Sequence, residues 1–309
     1  SLLKIWQRMK KDNYHEPVMV REVIETFAPL YKARIIDATL GTGGHSLEMV
    51  KGGAEVLGIE TDGEMLKVSD ERLKEACPTP NKNGLGSFKF VNDNFRNIDS
   101  IAQKENFNEV NGVLFDLGVS NIQLVSPDRG FSFGSPEAKL DMRLDKAAQG
   151  LTGADLLNAL RQDHLIKLFQ KVLSFRDSRY LAERVIEARE KKPIATVRDF
   201  LEFARGVKTK KGLNPATLPF LALRIAVNSE LENLNEALPK AFDLMRKGGR
   251  LAVIVFHSGE REIVLDFYFQ NERWGAGKIL TRKPIVPSES EISKNPRARS
   301  AALYVLEKI

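Results

Sequence analysis

The loop Asp37-Ala-Thr-Leu-Gly41-Thr-Gly43-Gly44-His45-Ser46 joins an apolar run, Ala33 to Ile36, to a helical pattern that opens at Ser46. Glycines between a strand and a helix let the backbone turn tightly and approach a ligand closely. Glu60 follows the next apolar run, Glu55 to Ile59, where a carboxylate can accept both hydroxyls of an adenosine ribose. Together these residues point to a nucleoside cofactor; the structural alternative is a turn that only packs a helix on a strand. The order G-T-G-G-H-S lacks the third glycine of G-x-G-x-x-G, and no G-K-[ST] follows, so neither a dinucleotide fingerprint nor a P-loop is present. S-adenosylmethionine has no phosphate and needs a close backbone approach at its amino-acid portion. It fits this loop better than NAD. Asn92-Asp93-Asn94-Phe95 after a third strand offers polar groups and an aromatic face for an adenine, and Asp116 closes a fourth. Acids after successive parallel strands converge at the carboxyl edge of a sheet, where such folds bind ligands.

These residues need a sheet to hold them. Ala33–Ile36, Glu55–Ile59, Phe88–Val91 and Gly112–Phe115 read as short strands separated by helical patterns, which indicates a parallel sheet covered on both faces. The alternation stops near residue 126. A Gly-, Ser- and Pro-rich stretch is followed only by helical patterns, including two capping-box signals, Thr152…Asp155 and Thr196…Asp199. One long helix is expected from Pro215–Pro219 through Val227, Leu231, Leu234 and Leu238, ending at Lys247-Gly248-Gly249. Arg250–Phe256, Lys278–Leu280 and Ala298–Glu307 resume the strand pattern. The expected organisation is one α/β domain over 1–125 and 222–309, interrupted by a helical insert over 126–221.

The 309 residues are 42% apolar, an ordinary globular composition. A single cysteine, Cys77, excludes an internal disulfide and a cysteine metal cluster, and a reducing cytoplasm is the natural compartment. The four histidines (His15, His45, His164 and His257) show no paired ligand spacing, so no metal is expected. No run approaches the roughly 18 apolar residues of a membrane helix, so no membrane partner is expected. The first residues have no apolar core of secretory length, and the missing initiator Met fits a trimmed start. The net charge is +6, and residues 126–221 hold 18 Lys and Arg against 12 Asp and Glu. The whole excess sits in the insert, as solvated helix faces or as a surface for an anionic partner.

The segments HEPVMVREV (15–23), DATLGTGGHS (37–46), GVLFDLGVS (112–120), QLVSPDRGFSF (123–133), LDMRLD (140–145), LRIAVNSELENL (223–234), GGRLAVIVFHS (248–258) and NPRARSAAL (295–303) run in order along nearly the whole chain. They resemble the bacterial small-subunit ribosomal RNA cytosine N4-methyltransferases. The resemblance implies a class I S-adenosylmethionine-dependent methyltransferase (Rossmann-like) fold with a helical insert for substrate recognition. It also implies methylation of the exocyclic amine of a cytidine in the 16S RNA of the small ribosomal subunit. The cofactor contacts it implies are Gly43, Gly44, His45, Glu60, Phe95, Asp116 and Gln123. Glu60 stands where the family usually has Asp, and Gly259-Glu-Arg-Glu262 replaces the usual Leu-Glu-Asp-Arg.

Methyl transfer from a sulfonium is an in-line displacement that needs alignment and water exclusion. A cytosine amine is a weak nucleophile, so an acceptor for one of its protons is expected, and the product must then lose a proton. Asp116, Asp141 and His257 are the candidate catalytic residues. Asp141 and Arg143 are expected to organise the target base or its phosphate, or else to form an ion pair that pins their loop. Reaching a base amine calls for an unpaired or extruded nucleotide. Phe131 and Phe133 are candidates for stacking it, if they do not simply anchor the insert. Lys208, Lys210, Lys211, Arg297 and Arg299 are the candidate phosphate contacts. The alternatives are a methyltransferase of another RNA position, a protein or a small molecule, and an RNA-binding assembly factor with little activity.

Overall fold

The computed structural model describes residues 17–78, 84–207 and 214–309. Lys208, Lys210, Lys211 and His15 lie outside them. The chain divides into two compact units, Ser1–Ser120 with Leu231–Ile309, and Asn121–Glu230. The second unit therefore takes in residues 121–125 and 222–230, which the sequence reading assigned to the first domain. Asn228 supplies a reason: its amide donates to Met142 O (2.9 Å) and its Oδ1 accepts the Leu144 N–H (2.9 Å), tying the end of its helix to the loop at 142–144.

The first unit is built on seven strands: β1 (Arg34–Asp37), β2 (Glu55–Glu60), β3 (Ser87–Asn92), β4 (Val110–Asp116), β5 (Met245–Val255), β6 (Gly277–Ile279) and β7 (Ala302–Lys308). Their order is β3-β2-β1-β4-β5-β7-β6, with β1 to β5 parallel and β7 antiparallel to both neighbours. This is the class I methyltransferase sheet that the resemblance implies. Successive residues enter opposite cores. Ile36, Val113, Phe115, Val253 and Tyr304 pack on one face with Leu234, Leu238, Val264 and Tyr268. Ile35, Leu114, Ala252, Ile254 and Leu303 pack on the other with Val23, Phe27, Leu47 and Val50. Period-two side chains buried on both faces explain why these strands read as continuous apolar runs. No helix among the described residues is long and apolar enough to cross a membrane.

Two expected elements are corrected. The long helix is two, Thr217–Asn228 and Glu230–Leu244, broken where Ser229 takes a left-handed conformation (φ 50°). Lys247-Gly248-Gly249 does not end a helix. It lies within β5, where the register passes from Val110↔Met245 to Gly112↔Arg250 and Gly248 has φ 74°. β7 also starts later than expected, because Pro296–Ser300 forms a 3-10 helix.

The second unit is helical, with Gly153–Ala159, Gln162–Phe169, Phe175–Lys191, Val197–Ala204 and Thr217–Asn228 as its main elements. Both expected capping boxes form, at Thr152/Asp155 and Thr196/Asp199. Against the upward push of burial, the N–H groups of Ala195 and Thr196 hold Asp199 at about 2. At the unit's core Phe200 stacks on Phe169, meets Phe203 edge-to-face and tilts against Phe220. Gly130 turns with φ 72°, and a Cβ there would lie 2.4 Å from Lys139 O. The clash is with backbone, and the left-handed conformation itself costs about 1–2 kcal/mol for a side-chain residue. Gly130→Ala is therefore expected to lower the melting temperature by about 5 °C or more, measured by calorimetry. An unchanged melt would show that the loop yields.

Candidate active site

Asp37 ends β1 and is buried. Its Oδ2 accepts from Ser46 Oγ (2.7 Å) and its Oδ1 from the Thr39 N–H (3.3 Å), so one carboxylate ties the strand end to the first turn of the helix Gly44–Lys51. Burial pushes this acid up, and the Ser46 hydroxyl opposes the shift. The loop between is held from behind by the helix Gly63–Ala76: Ser69 Oγ donates to Gly41 O (2.7 Å) and Arg72 Nη1 to Thr42 O (3.1 Å).

The three glycines of the loop differ in what surrounds them. Gly43 has φ 72°, and a Cβ on it would lie 2.7 Å from Leu73 Cδ1; a Cβ on Gly44 would lie 2.5 Å from Pro17 Cγ. Their close approaches are to protein side chains. Gly41 has φ 54° and its Cβ direction is open, with Thr39 O nearest at 3.8 Å. The left-handed turn with a free side is thus at Gly41, a position the sequence reading left out of the contact set.

Glu60, at the end of β2, accepts the Gly41 N–H on Oε2 (2.8 Å) and the Asp62 N–H on Oε1 (2.8 Å). Burial pushes its carboxyl up to about 8, against the two N–H groups, which favour the anion. The expectation gave this acid a ribose; it also pins the glycine turn to β2, and each oxygen keeps a further lone-pair direction. Phe95, half-buried in the 3-10 turn after β3, sets its ring edge-to-face on Phe115 at 5.5 Å.

Asp116 closes β4. Its N–H donates to Thr39 Oγ1 (2.6 Å), and its Oδ2 stands 3.3 Å from Nε2 of His45. His45 is 5% exposed, yet neither ring nitrogen has a hydrogen-bond partner, and Asp116 Oδ1 has none either. An unmade hydrogen bond on a buried polar group costs about 1–3 kcal/mol. Among the described residues of this unit, the other such atoms belong to His257 and Asn295. His45, Asp116 and His257 follow β1, β4 and β5, and Asn295 precedes the antiparallel β7. All four therefore sit at one edge of the sheet. Orphaned polar groups gathered at the carboxyl edge are what a ligand site requires.

Other candidates receive structural work. His257 caps the helix Ser258–Arg273, its Nδ1 accepting the Glu260 N–H, while buried Glu260 accepts the Phe256 N–H (2.7 Å) in return. Nothing in the sequence reading marked Glu260, although His-x-x-Glu before a helix is a capping pattern. In the second unit, Gln123 is buried in the short helix Asn121–Val125. Asp141 and Arg143 form the ion pair that pins their loop (2.7 and 3.1 Å), and Arg143 also donates to Gln149 O. Although burial pushes Asp141 up, the hydrogen bonds from Arg143 hold it below the ordinary carboxylate range. Phe131 is buried beneath the Arg129 guanidinium and offers no stacking face; Phe133 is 37% exposed, with its ring edge-on to Phe220. Arg297 and Arg299 belong to the first unit, on the 3-10 helix before β7, and not to the helical insert.

A family model described as the MraW methylase family matches residues 12–309. The ribosomal RNA small subunit methyltransferase H of Persephonella marina is 40% identical over 301 residues, covering 96% of this chain and 99% of that protein. Those of Methylacidiphilum infernorum and Coprothermobacter proteolyticus are 39% and 37% identical, covering 96% and 95% of this chain and 94% and 96% of theirs. A match that takes in both units, the glycine turn and the strand-end acids means that this chain belongs to the MraW methylase family.

Proposed function

We propose that this protein transfers a methyl group from S-adenosylmethionine to the N4 amine of a cytidine in the 16S RNA of the small ribosomal subunit. The observation that carries the reading is the set of buried, unpartnered polar atoms on His45 and Asp116 beside the Gly41 turn and Glu60. Relatives named as small-subunit ribosomal RNA methyltransferases support the choice of RNA. Such a substrate places the work in the cytoplasm.

These residues fit the cofactor. Glu60 has lone pairs for two ribose hydroxyls, Phe95 has a ring face for an adenine, and the Gly41 turn leaves room at its open side. When bound, S-adenosylmethionine supplies an electrophilic methyl group. The protein's own task is alignment. His45 and Asp116 carry donor and acceptor atoms that nothing in the fold satisfies, and Asp116 Oδ1 is the acceptor available to a proton of the incoming amine. Drawing on that proton favours the amine lone pair, and Asp116 or water removes it afterwards. Asp141, held ionised by Arg143, keeps the 141–149 loop in shape, and the exposed part of Phe133 is the remaining aromatic surface. The lysines at 208, 210 and 211 contribute positive charge to the second unit.

The test is calorimetry with S-adenosylmethionine, followed by mass spectrometry of RNA from undermethylated small subunits after incubation with the protein. One N4-methylcytidine is expected. Cofactor binding with no modified nucleoside would favour an assembly factor, and NAD binding in its place would reject the cofactor.

A further inference from the structure

Asn295 is buried to 7% exposure, and both its side-chain atoms, Nδ2 and Oδ1, lack a partner. Its backbone is satisfied: the N–H donates to Glu291 O (2.7 Å) and the carbonyl accepts the Ala298 N–H (3.0 Å). Only the carboxamide is orphaned. The segment is not free to swing, because Glu291 Oε1 accepts the Met19 N–H (2.7 Å) while Ala298 and Ala301 are buried in the core.

Its place in the sheet matters. Asn295 precedes the 3-10 helix Pro296–Ser300 that leads into β7, and Ala302 of β7 pairs with Val255, the last residue of β5. It is therefore at the edge that carries Asp116 and His257. The same segment borders the residues ahead of the first helix: Glu291 accepts the Met19 N–H, and Pro17, two residues before Met19, lies against Gly44. Arg297 and Arg299 share its turn and reach the surface.

We infer that Asn295, with Arg297 and Arg299, forms a nucleotide-binding subsite for the RNA substrate, the carboxamide pairing with a base edge and the guanidiniums taking adjacent phosphates. A carboxamide offers a donor and an acceptor side by side, which matches the edge of an unpaired base. Two exposed guanidiniums on the turn that follows it suit phosphodiesters, which S-adenosylmethionine lacks. The inference rests on the RNA methyltransferase reading and adds a specificity-determining residue to it.

The test compares wild-type protein with Asn295→Leu, Asn295→Ala and the double variant Arg297→Ala, Arg299→Ala. The readouts are steady-state kinetics on small-subunit RNA, calorimetric S-adenosylmethionine affinity and thermal melting. Asn295→Leu keeps a similar volume, loses both hydrogen-bonding atoms and removes an unpaired amide from the interior. It is expected to raise the KM for RNA at least 10-fold with cofactor affinity within 2-fold and melting not lowered. The arginine variant is expected to flatten the dependence of RNA affinity on salt. Should Asn295→Ala fail to fold, Asn295→Leu decides. Wild-type KM and kcat in Asn295→Leu would overturn the inference. So would a loss of cofactor binding or a fall in melting temperature that tracks the loss of activity, because it would mark a cofactor or purely structural residue. Wild-type protein that modifies no small-subunit RNA defeats the functional reading instead.

Discussion

Asp116→Asn is expected to lower methylation of small-subunit RNA by about 100-fold or more without lowering thermal stability. The two halves of this expectation have one cause. Asp116 Oδ1 is buried without a partner, and Oδ2 meets only the unaligned Nε2 of His45 at 3.3 Å. In the free protein Oδ1 holds no other group in place, so exchanging the carboxylate for an amide of the same shape breaks no hydrogen bond of the fold. In the reacting complex the same oxygen is the acceptor for the amine proton, and an amide nitrogen there presents donors to a donor. The N–H bond to Thr39 Oγ1 (2.6 Å) belongs to the backbone and survives the change. Full activity in this variant would remove Asp116 from the reacting centre. A large loss of stability would show that the carboxylate serves the fold.

Glu60→Gln is expected to weaken S-adenosylmethionine binding by about 10- to 100-fold, at roughly 1.4 kcal/mol for each factor of ten, and to abolish a pH dependence that the wild type shows. The Glu60 carboxyl is raised from 4.5 to about 8 by burial. Above 4.5 the unfolded chain releases this proton while the folded chain keeps it. The stability that Glu60 contributes is thus fully present below 4.5, drains as pH rises, and is gone once pH passes about 8. Hydroxyl donors from a ribose prefer the anion, so cofactor affinity moves the other way, rising between pH 7 and about 8 and levelling off above it. Binding at pH 7 should release a proton, seen as a dependence of the calorimetric heat on buffer ionisation. An affinity independent of pH in the wild type would contradict this assignment.

Much of the first unit was legible because its signals are local. Strands buried on both faces announce themselves as apolar runs, and Thr152…Asp155 and Thr196…Asp199 form their boxes within four residues. The misread elements lacked such signals. Val227 to Leu238 keep helical spacing through Ser229, so periodicity could not report a break made by Asn228 reaching back to residues 142–144. Lys247-Gly248-Gly249 is a helix terminator in composition, yet pairing of Met245 with Val110 had already drawn the chain into the sheet.

The sequence by itself determined the class of fold, the glycine turn with its acids, and the family, since residue type and order carry all three. The tertiary structure decided which of these side chains already have partners. Asp141 and Phe131 have the chemistry of a site, but Arg143 and Arg129 engage them, each across 2 residues, while His257 gives only Nδ1 to Glu260 and keeps Nε2 unpartnered. Asn295 gave no such signal, and it emerged only as a buried amide left unpaired beside β7. Hydrogen-bond satisfaction is a property of three-dimensional neighbourhoods. It separates residues that the fold has used from those it holds in reserve for a ligand.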